Sequence, residues 1–415
     1  MRFLQTDRPK RKMVRYLRNF TQLSVAIAAI FVWAAIAAGN ARGQETLPLP
    51  LKPLPDEELK PFPEEELIPF PDEEIAPFLS DEEFEILFPL IEQFRIYGEH
   101  DWIADPLAWR SLQVLYRLEG HNSAVQSLVF SPDSQYLVSG GSRNDGYLHV
   151  WSMETGEEFE KFRAQQTSVL AMAMSPDGKV VASSGDDANL NLWQWQDLAE
   201  NYLFLDTHHN ILSLLVTPDS QVLITSGLDG IRLWNLRTQK PIYTLVRFDN
   251  QINSMAIDPR NGYILRTGGL KGEMQVWNVR TGSRINQFSA HRDKIGVMVF
   301  TPDGQRFISG SDDRTVKVWD ANNNRLLHTL VGHTGRITAI AIHPNGQFFA
   351  SASRDGIRLW DIDSGQLIQH WYAHTTWVES LAFSPNGRFL ASGGYDRTIK
   401  VWQPFLPAEL LEEQY

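Results

Sequence analysis

Five times along this chain a histidine is followed by a hydroxyl residue, an aspartate and a tryptophan at nearly constant offsets. The sets are His121, Ser139, Asp145 and Trp151; His208, Thr225, Asp229 and Trp234; His291, Ser309, Asp313 and Trp319; His333, Ser351, Asp355 and Trp360; and His374, Ser392, Asp396 and Trp402. Histidine and aspartate are the residue types that move protons or hold metal ions. One core histidine per repeat, satisfied by its neighbours, explains all five without invoking either activity. The adjacent carboxylates Asp186-Asp187 and Asp312-Asp313 look like acid/base pairs, but the second of each belongs to the repeat and the first reads as a turn residue. The remaining histidines, His100, His149, His209, His328, His343 and His370, have no metal-ligand spacing. The chain has no cysteine, which excludes disulfides, thiolate metal sites and cysteine nucleophiles. It also lacks a glycine-rich phosphate loop, an HExxH pair and a GxSxG elbow. The expectation is no catalytic residue, no metal and no cofactor.

The elements that carry these residues repeat as well. Trp151, Trp193, Trp234, Trp277, Trp319, Trp360 and Trp402 recur every 41 to 43 residues. Residues 307–320, FISGSDDRTVKVWD, read as two short apolar strands around a polar turn. Another strand ends upstream in a proline turn such as Ser175-Pro176-Asp177-Gly178 or Thr301-Pro302-Asp303-Gly304. A period of about 40–45 residues ending in tryptophan is the mark of propeller blades.

Over residues 112–403 the pattern resembles the WD40 repeat family. The resemblance implies an all-β, seven-bladed propeller. It also implies a buried relay in each blade: indole N–H to hydroxyl, hydroxyl to histidine, histidine to aspartate. Burial of such a relay is tolerable because every member has a partner. The second unit departs, with Gln165 in the histidine position beside Ser183, Asp187 and Trp193. The fourth departs further. Phe248 and Lys271 stand for histidine and aspartate, leaving Thr267 and Trp277, so that blade is expected to rest on apolar packing. Residues 112–118 read as an outer strand. The last unit has none of its own, because Pro404 and Pro407 stop further pairing. The N-terminal strand is therefore expected to close the ring.

In this architecture the residues flanking the central aliphatic of each inner strand, and the one before the turn aspartate, share one face. By position these are Lys294, Arg336, Arg354, Trp377, Glu379 and Tyr395 on blades five to seven. On blades three and four they are Asn210, Leu212, Leu228, Gln251, Asn253 and Leu270. Exposed Trp, Tyr and Arg are the composition of a binding hot spot, so the first six are the candidate protein-binding residues.

Outside the repeats the chain changes character. Residues 1–18 hold seven Lys/Arg against one acid, and residues 23–38 are almost wholly apolar. Residues 1–43 therefore read as a signal peptide, cut after Gly39 or Ala41, or as a retained single-pass anchor. Residues 44–79 repeat proline, phenylalanine and acid triplets with a period of eight. They read as an extended spacer or as a run of short docking motifs. Residues 80–111 hold an amphipathic helix, begun by a Ser80–Glu83 capping box and interrupted by Pro89, and a connector. Residues 404–415 are a tail. The net charge is −12, but from residue 111 onward acids only slightly outnumber bases, so nucleic acid is not an expected partner.

The reading as a whole is an exported, non-catalytic interaction scaffold, similar to bacterial and cyanobacterial WD-repeat proteins. It would be periplasmic or extracellular, would bind proteins or peptides, and would touch a membrane only through an N-terminal anchor. An extracytoplasmic envelope-assembly factor and a propeller-type hydrolase are the alternatives.

Overall fold

All six residues of the strand Phe348–Ser353 are buried. Successive side chains of a strand point to opposite faces, so this strand must be covered on both sides. The outer strand Ser283–Ser289 is the opposite case, with six of its seven residues exposed. Ser283–Ser289 belongs to another sheet, whose own second strand, Ile264–Gly269, has four of six residues buried. Sheets graded in this way stack face to face with their outer edges turned to water. The computed structural model describes residues 105–405, apart from 188, 196, 207–209, 229 and 247–250. These residues form 28 strands in seven four-stranded antiparallel sheets, plus one 3-10 turn, Ala108–Arg110. The inner strands contact one another around the ring, from Val125–Phe130 to Val378–Phe383 and back. The fold is an all-β, seven-bladed propeller. Among the described residues no helix is long and apolar enough to cross a membrane. The leader, the proline/acid tract, most of the 80–111 connector and the tail beyond 405 lie outside the described residues.

The core lies between blades. Ile308, Val316 and Val318 of blade five pack with Ile337, Ile340, Phe349 and Trp360 of blade six. A small residue on the second strand lets the next inner strand approach: a Cβ built on Gly310 would lie 2.5 Å from Ile337 Cγ2. Blades two and three use serine there, and the hydroxyls of Ser184 and Ser226 donate to the carbonyls of Ile211 and Ile252 on the following blade.

The ring is closed by the first strand of the chain. Leu112–Glu119 pairs antiparallel with Thr398–Pro404 and becomes the outer strand of blade seven. Phe405 N donates to Ser111 O at 2.8 Å, and Gln369 Nε2 donates to Arg110 O at 2.6 Å. Trp109, fully buried, seats its ring against His343, Phe348 and Phe383. The strand Thr398–Pro404 is thereby paired on both sides, so its edge, the part of a sheet most prone to stray pairing, is covered.

Within blades, the indole N–H of every repeat tryptophan donates to its Ser or Thr hydroxyl. Trp151 reaches Ser139, Trp319 reaches Ser309, Trp360 reaches Ser351 and Trp402 reaches Ser392, at 2.8 to 2.9 Å. Trp193 reaches Ser183, Trp234 reaches Thr225 and Trp277 reaches Thr267, at 3.1 to 3.3 Å. The histidine half of the relay is described in blades one, five, six and seven. There Ser139, Ser309, Ser351 and Ser392 stand 2.7 to 2.8 Å from Nε2 of His121, His291, His333 and His374. Nδ1 of these four rings meets Asp145, Asp313, Asp355 and Asp396 at 2.8 to 3.0 Å. In blade three only the Trp234–Thr225 bond is seen, because His208 and Asp229 lie outside the described residues, as does Phe248 of blade four. Gln165 serves blade two, donating to Ser183 Oγ at 3.2 Å.

The relay is branched rather than the single file that the resemblance implies. His374 Nε2 lies 3.2 Å from the Ser392 carbonyl as well as beside its hydroxyl. His291 Nδ1 has Thr315 Oγ1 at 3.1 Å, and His374 Nδ1 has Thr398 Oγ1 at 3.3 Å. These threonines also donate to the relay aspartates, Thr315 to Asp313 at 2.6 Å and Thr398 to Asp396 at 2.8 Å. A carboxylate can accept several hydrogen bonds, so the branches add partners without displacing the histidine.

Blade four does not rest on apolar packing alone. Its buried Arg266 donates to Ala321 O and Asn324 Oδ1 of blade five and lies over the rings of Phe300 and Phe307. Burial lowers this guanidinium to about 10. The bond to a neighbouring blade does between blades part of what the missing relay does within one.

Asp355→Ala leaves His333 Nδ1 and Arg358 without their carboxylate, so it should cost about 1–3 kcal/mol. Lys271→Ala, on an exposed turn with no relay, should leave the melting temperature unchanged. Equal shifts in the two variants would contradict the relay. Burial also lowers the imidazoles of His291 (to about 4), His333 and His343, outweighing the partners that raise them. Below about pH 6.5 the unfolded chain takes up protons that these native histidines refuse. Their contribution is therefore complete above that pH and is lost toward pH 4, by about 1.4 kcal/mol per pH unit for each proton. Urea unfolding at pH 7.5, 6 and 5 should show this fall, and a flat profile would rule it out.

Candidate protein-binding face

The inner strands aim the candidate residues by alternation. Ile295, Ile337 and Val378 are anchored between blades at 0 to 1% exposure. Their flanking residues, Lys294, Arg336, Trp377 and Glu379, must therefore turn the other way. The turns after the second strands add one residue per blade: Leu228, Leu270, Arg354 and Tyr395 each directly follow a strand end. Relay aspartates hold these turns against the loops before the inner strands. Asp313 accepts the backbone N–H of Arg292 at 3.0 Å, and Asp396 that of Thr375 at 3.2 Å.

Four of the six candidates meet. The Arg336 guanidinium lies 4.9 Å from the Trp377 ring centroid, and its Nη2 is 3.8 Å from Glu379 Oε1. Burial raises the Glu379 carboxyl above its ordinary value, against the opposing charges of Arg336 and Lys294. Lys294 also faces Asp312 across 3.5 Å. Tyr395 is tied in through its backbone, donating to Trp377 O at 2.8 Å, while its own side chain is exposed. Arg354, also exposed, packs its Cβ beside Gly335, next to Arg336. On blades three and four the same positions hold exposed Leu228 and Leu270, and Gln251 donates to Asn253 at 3.0 Å. The face thus has a charged, aromatic part and a neutral part. None of the six charged or aromatic candidates is a Ser, Cys or His, and the arrangement is suited to binding: a half-exposed guanidinium held over an indole, beside a desolvated carboxylate.

The residues first read as possible chemistry have structural partners. Asp186 accepts from Ser168 Oγ at 2.6 Å, and Asp187 from the backbone of Gln166 at 2.8 Å. His328, His343 and His370 each meet a backbone carbonyl through Nε2. His149 departs from its sequence reading. It is buried against His121 and Asp145, forming a ligand-bearing cluster that linear spacing does not show. The available signal was its place two residues before Trp151, where Lys317, Arg358 and Lys400 stand in other blades.

The repeats match known proteins. The family model described as "WD domain, G-beta repeat" covers residues 112–152, 156–194, 282–320, 324–361 and 365–403. Periodic tryptophan protein 2 homolog of Dictyostelium discoideum is 25% identical over 214 residues, 50% of this chain and 18% of that protein. Protein HIR1 of Kluyveromyces lactis is 27% identical over 219 residues, 49% of this chain and 22% of that protein. Guanine nucleotide-binding protein subunit beta of Zea mays is 25% identical over 215 residues, 48% of this chain and 56% of that protein. The matches therefore span between about a fifth and just over half of these relatives. Five matched stretches, set in a ring whose seven blades share one tryptophan-to-hydroxyl bond, place the chain in the WD40 repeat family.

Proposed function

We propose that the chain is a non-catalytic protein-interaction platform whose main contact surface is the charged, aromatic part of the face on blades five to seven. The observation that carries this reading is the Arg336–Trp377 stack beside Glu379. Trp360 and Trp402 are occupied by the relay, whereas Trp377 has no such task in its blade. A cation held over an indole at a rigid rim offers apolar area and charge together, and little ordering is left to be done on binding. The names of the relatives agree in kind: a G-protein subunit is by name a member of an assembly. The partner is read as a protein or peptide. Export belongs to the same proposal, on the basic-then-apolar composition of residues 1–38.

Affinity capture from envelope extract, read by mass spectrometry, supplies the partner, and titration against variants locates its site. Trp377→Ala should fold with an unchanged circular dichroism spectrum and weaken binding by about 2 kcal/mol. Leu228→Ala, on the neutral part, should bind as the parent does. A partner that holds the Trp377 variant as tightly as the parent would move the site elsewhere. Expressed with its leader in a bacterium, the protein should fractionate with the periplasm or membrane; an unprocessed, full-length chain in the cytosol would refute export.

A further inference from the structure

The third strand of each blade carries a side chain two residues before its tryptophan, and in several blades it ties down the loop ahead of the inner strand. Lys317 Nζ donates to Ala290 O at 2.5 Å and Lys400 Nζ to Ala373 O at 2.7 Å. Asn191 donates to Ala164 O, and Arg358 Nη1 lies 2.8 Å from His333 Nδ1. Blade one has His149 at this position. Its side chain is fully buried and neither ring nitrogen makes a hydrogen bond. Glu158 Oε1 stands 3.1 Å from Nδ1, out of line for one. The ring packs 4.0 Å from that of His121, centroid to centroid, and stacks on Trp151. Asp145, also at zero exposure, is half satisfied: Oδ2 accepts from His121 Nδ1 and Asn122 N, and Oδ1 has no partner.

Buried polar atoms are nearly always partnered. Here two neighbouring residues with unmet lone pairs share one pocket, and ligand atoms of His121, Asp145 and His149 lie within 4.8 Å of one another. We propose that this pocket in blade one is a divalent metal site of the Zn2+ class, with His149, Asp145 and His121 as donors and Glu158 on its open side. Imidazole and carboxylate donors without thiolate suit Zn2+, at bond lengths of about 2.0–2.2 Å, so the donors draw inward on binding. The ion takes the lone pair of His121 Nδ1, and the proton that Nδ1 held toward Asp145 Oδ2 passes to Nε2, so the imidazole changes tautomer and stays neutral. His121 Nε2 then donates to Ser139 Oγ, which still accepts from Trp151 and has the His149 carbonyl 3.5 Å away as its own acceptor. The blade's tryptophan bond is kept. Lys161, across the strand pair from His149, opposes a cation; its ammonium lies 4.9 Å from the Tyr147 ring centroid, and Glu158 offsets it. Glu158, with a side chain 35% exposed, marks the side from which an ion enters.

The test titrates the chelator-treated full chain with Zn2+ by calorimetry and with Co2+ by absorption. The expected result is one ion per chain, with the visible bands of a four-coordinate cobalt centre and no net proton release near neutral pH. Zn2+ at a hundredfold excess over its Kd should raise the melting temperature by about 4 °C. His149→Lys copies blades five and seven, so it should melt with the metal-free parent and lose the stoichiometric site. His149→Asn, after Asn191, serves if the lysine variant does not fold. A parent that takes up no ion at millimolar Zn2+, or a folded His149 variant that still binds one ion with the parent's affinity, overturns the proposal.

Discussion

The bond from each repeat tryptophan to a buried hydroxyl is common to all seven blades. It is shortest, 2.8 to 2.9 Å, on Ser139, Ser309, Ser351 and Ser392, the hydroxyls with a described histidine–aspartate pair behind them. On Ser183, Thr225 and Thr267 it lengthens to 3.1 to 3.3 Å. A hydroxyl that also donates to histidine is polarised and accepts more strongly, so the shorter bonds fit a chain of cooperative hydrogen bonds. The bond joins the second and third strands of a blade. The histidine and aspartate extend it to the two loops that form the binding face. Tryptophan burial, strand pairing and loop position are therefore coupled through one network.

That coupling bears on where recognition sits. Blades five to seven, each with a full relay, carry Lys294, Arg336, Arg354, Trp377, Glu379 and Tyr395. The loops holding these residues are fixed by aspartates whose carboxyls accept backbone N–H groups. Asp313 shows the balance of forces: burial works to raise its carboxyl, but hydrogen bonds from Thr315 and Arg292 and the nearby His291 hold it at about 2. The carboxylate stays charged and the loop stays tied. A face built on such loops presents its arginine and indole already oriented, which is the condition for a small number of contacts to supply most of an affinity.

Blades one and four are exceptions to the repeat with opposite characters. Blade four has lysine in the position of the turn aspartate, and the buried Arg266 binds it to the next blade, every observed hydrogen bond of that guanidinium ending on blade five. Blade one keeps the whole relay and adds His149 beside it, leaving two buried groups incompletely bonded. A departure from a repeat that supplies its own replacement contact reads as architecture. Arg266 also keeps two nitrogens unmet, but they are cationic; the unmet atoms of blade one sit on His149 and Asp145, metal-binding residue types that lie together.

The repeat, its seven copies, the relay sets of blades one, five, six and seven and the closing strand were legible in the linear chain, because each depends on contacts inside one blade or on residues at fixed offsets. The Gln165 substitution was legible too, although the hydrogen bond from its amide to Ser183 exists only in the folded blade. By position alone the six face residues could be assigned to one side. Their meeting could not: the Arg336–Trp377 stack and the desolvation of Glu379 join residues of adjacent blades about 40 positions apart. The reach of Arg266 into blade five was hidden for the same reason, and the pairing of His149 with His121 because it occurs in one blade alone. Periodicity records what every blade needs in order to fold. Contacts made once leave no repeated mark in the sequence, and they are decided only when the ring closes and brings distant side chains to a few ångströms.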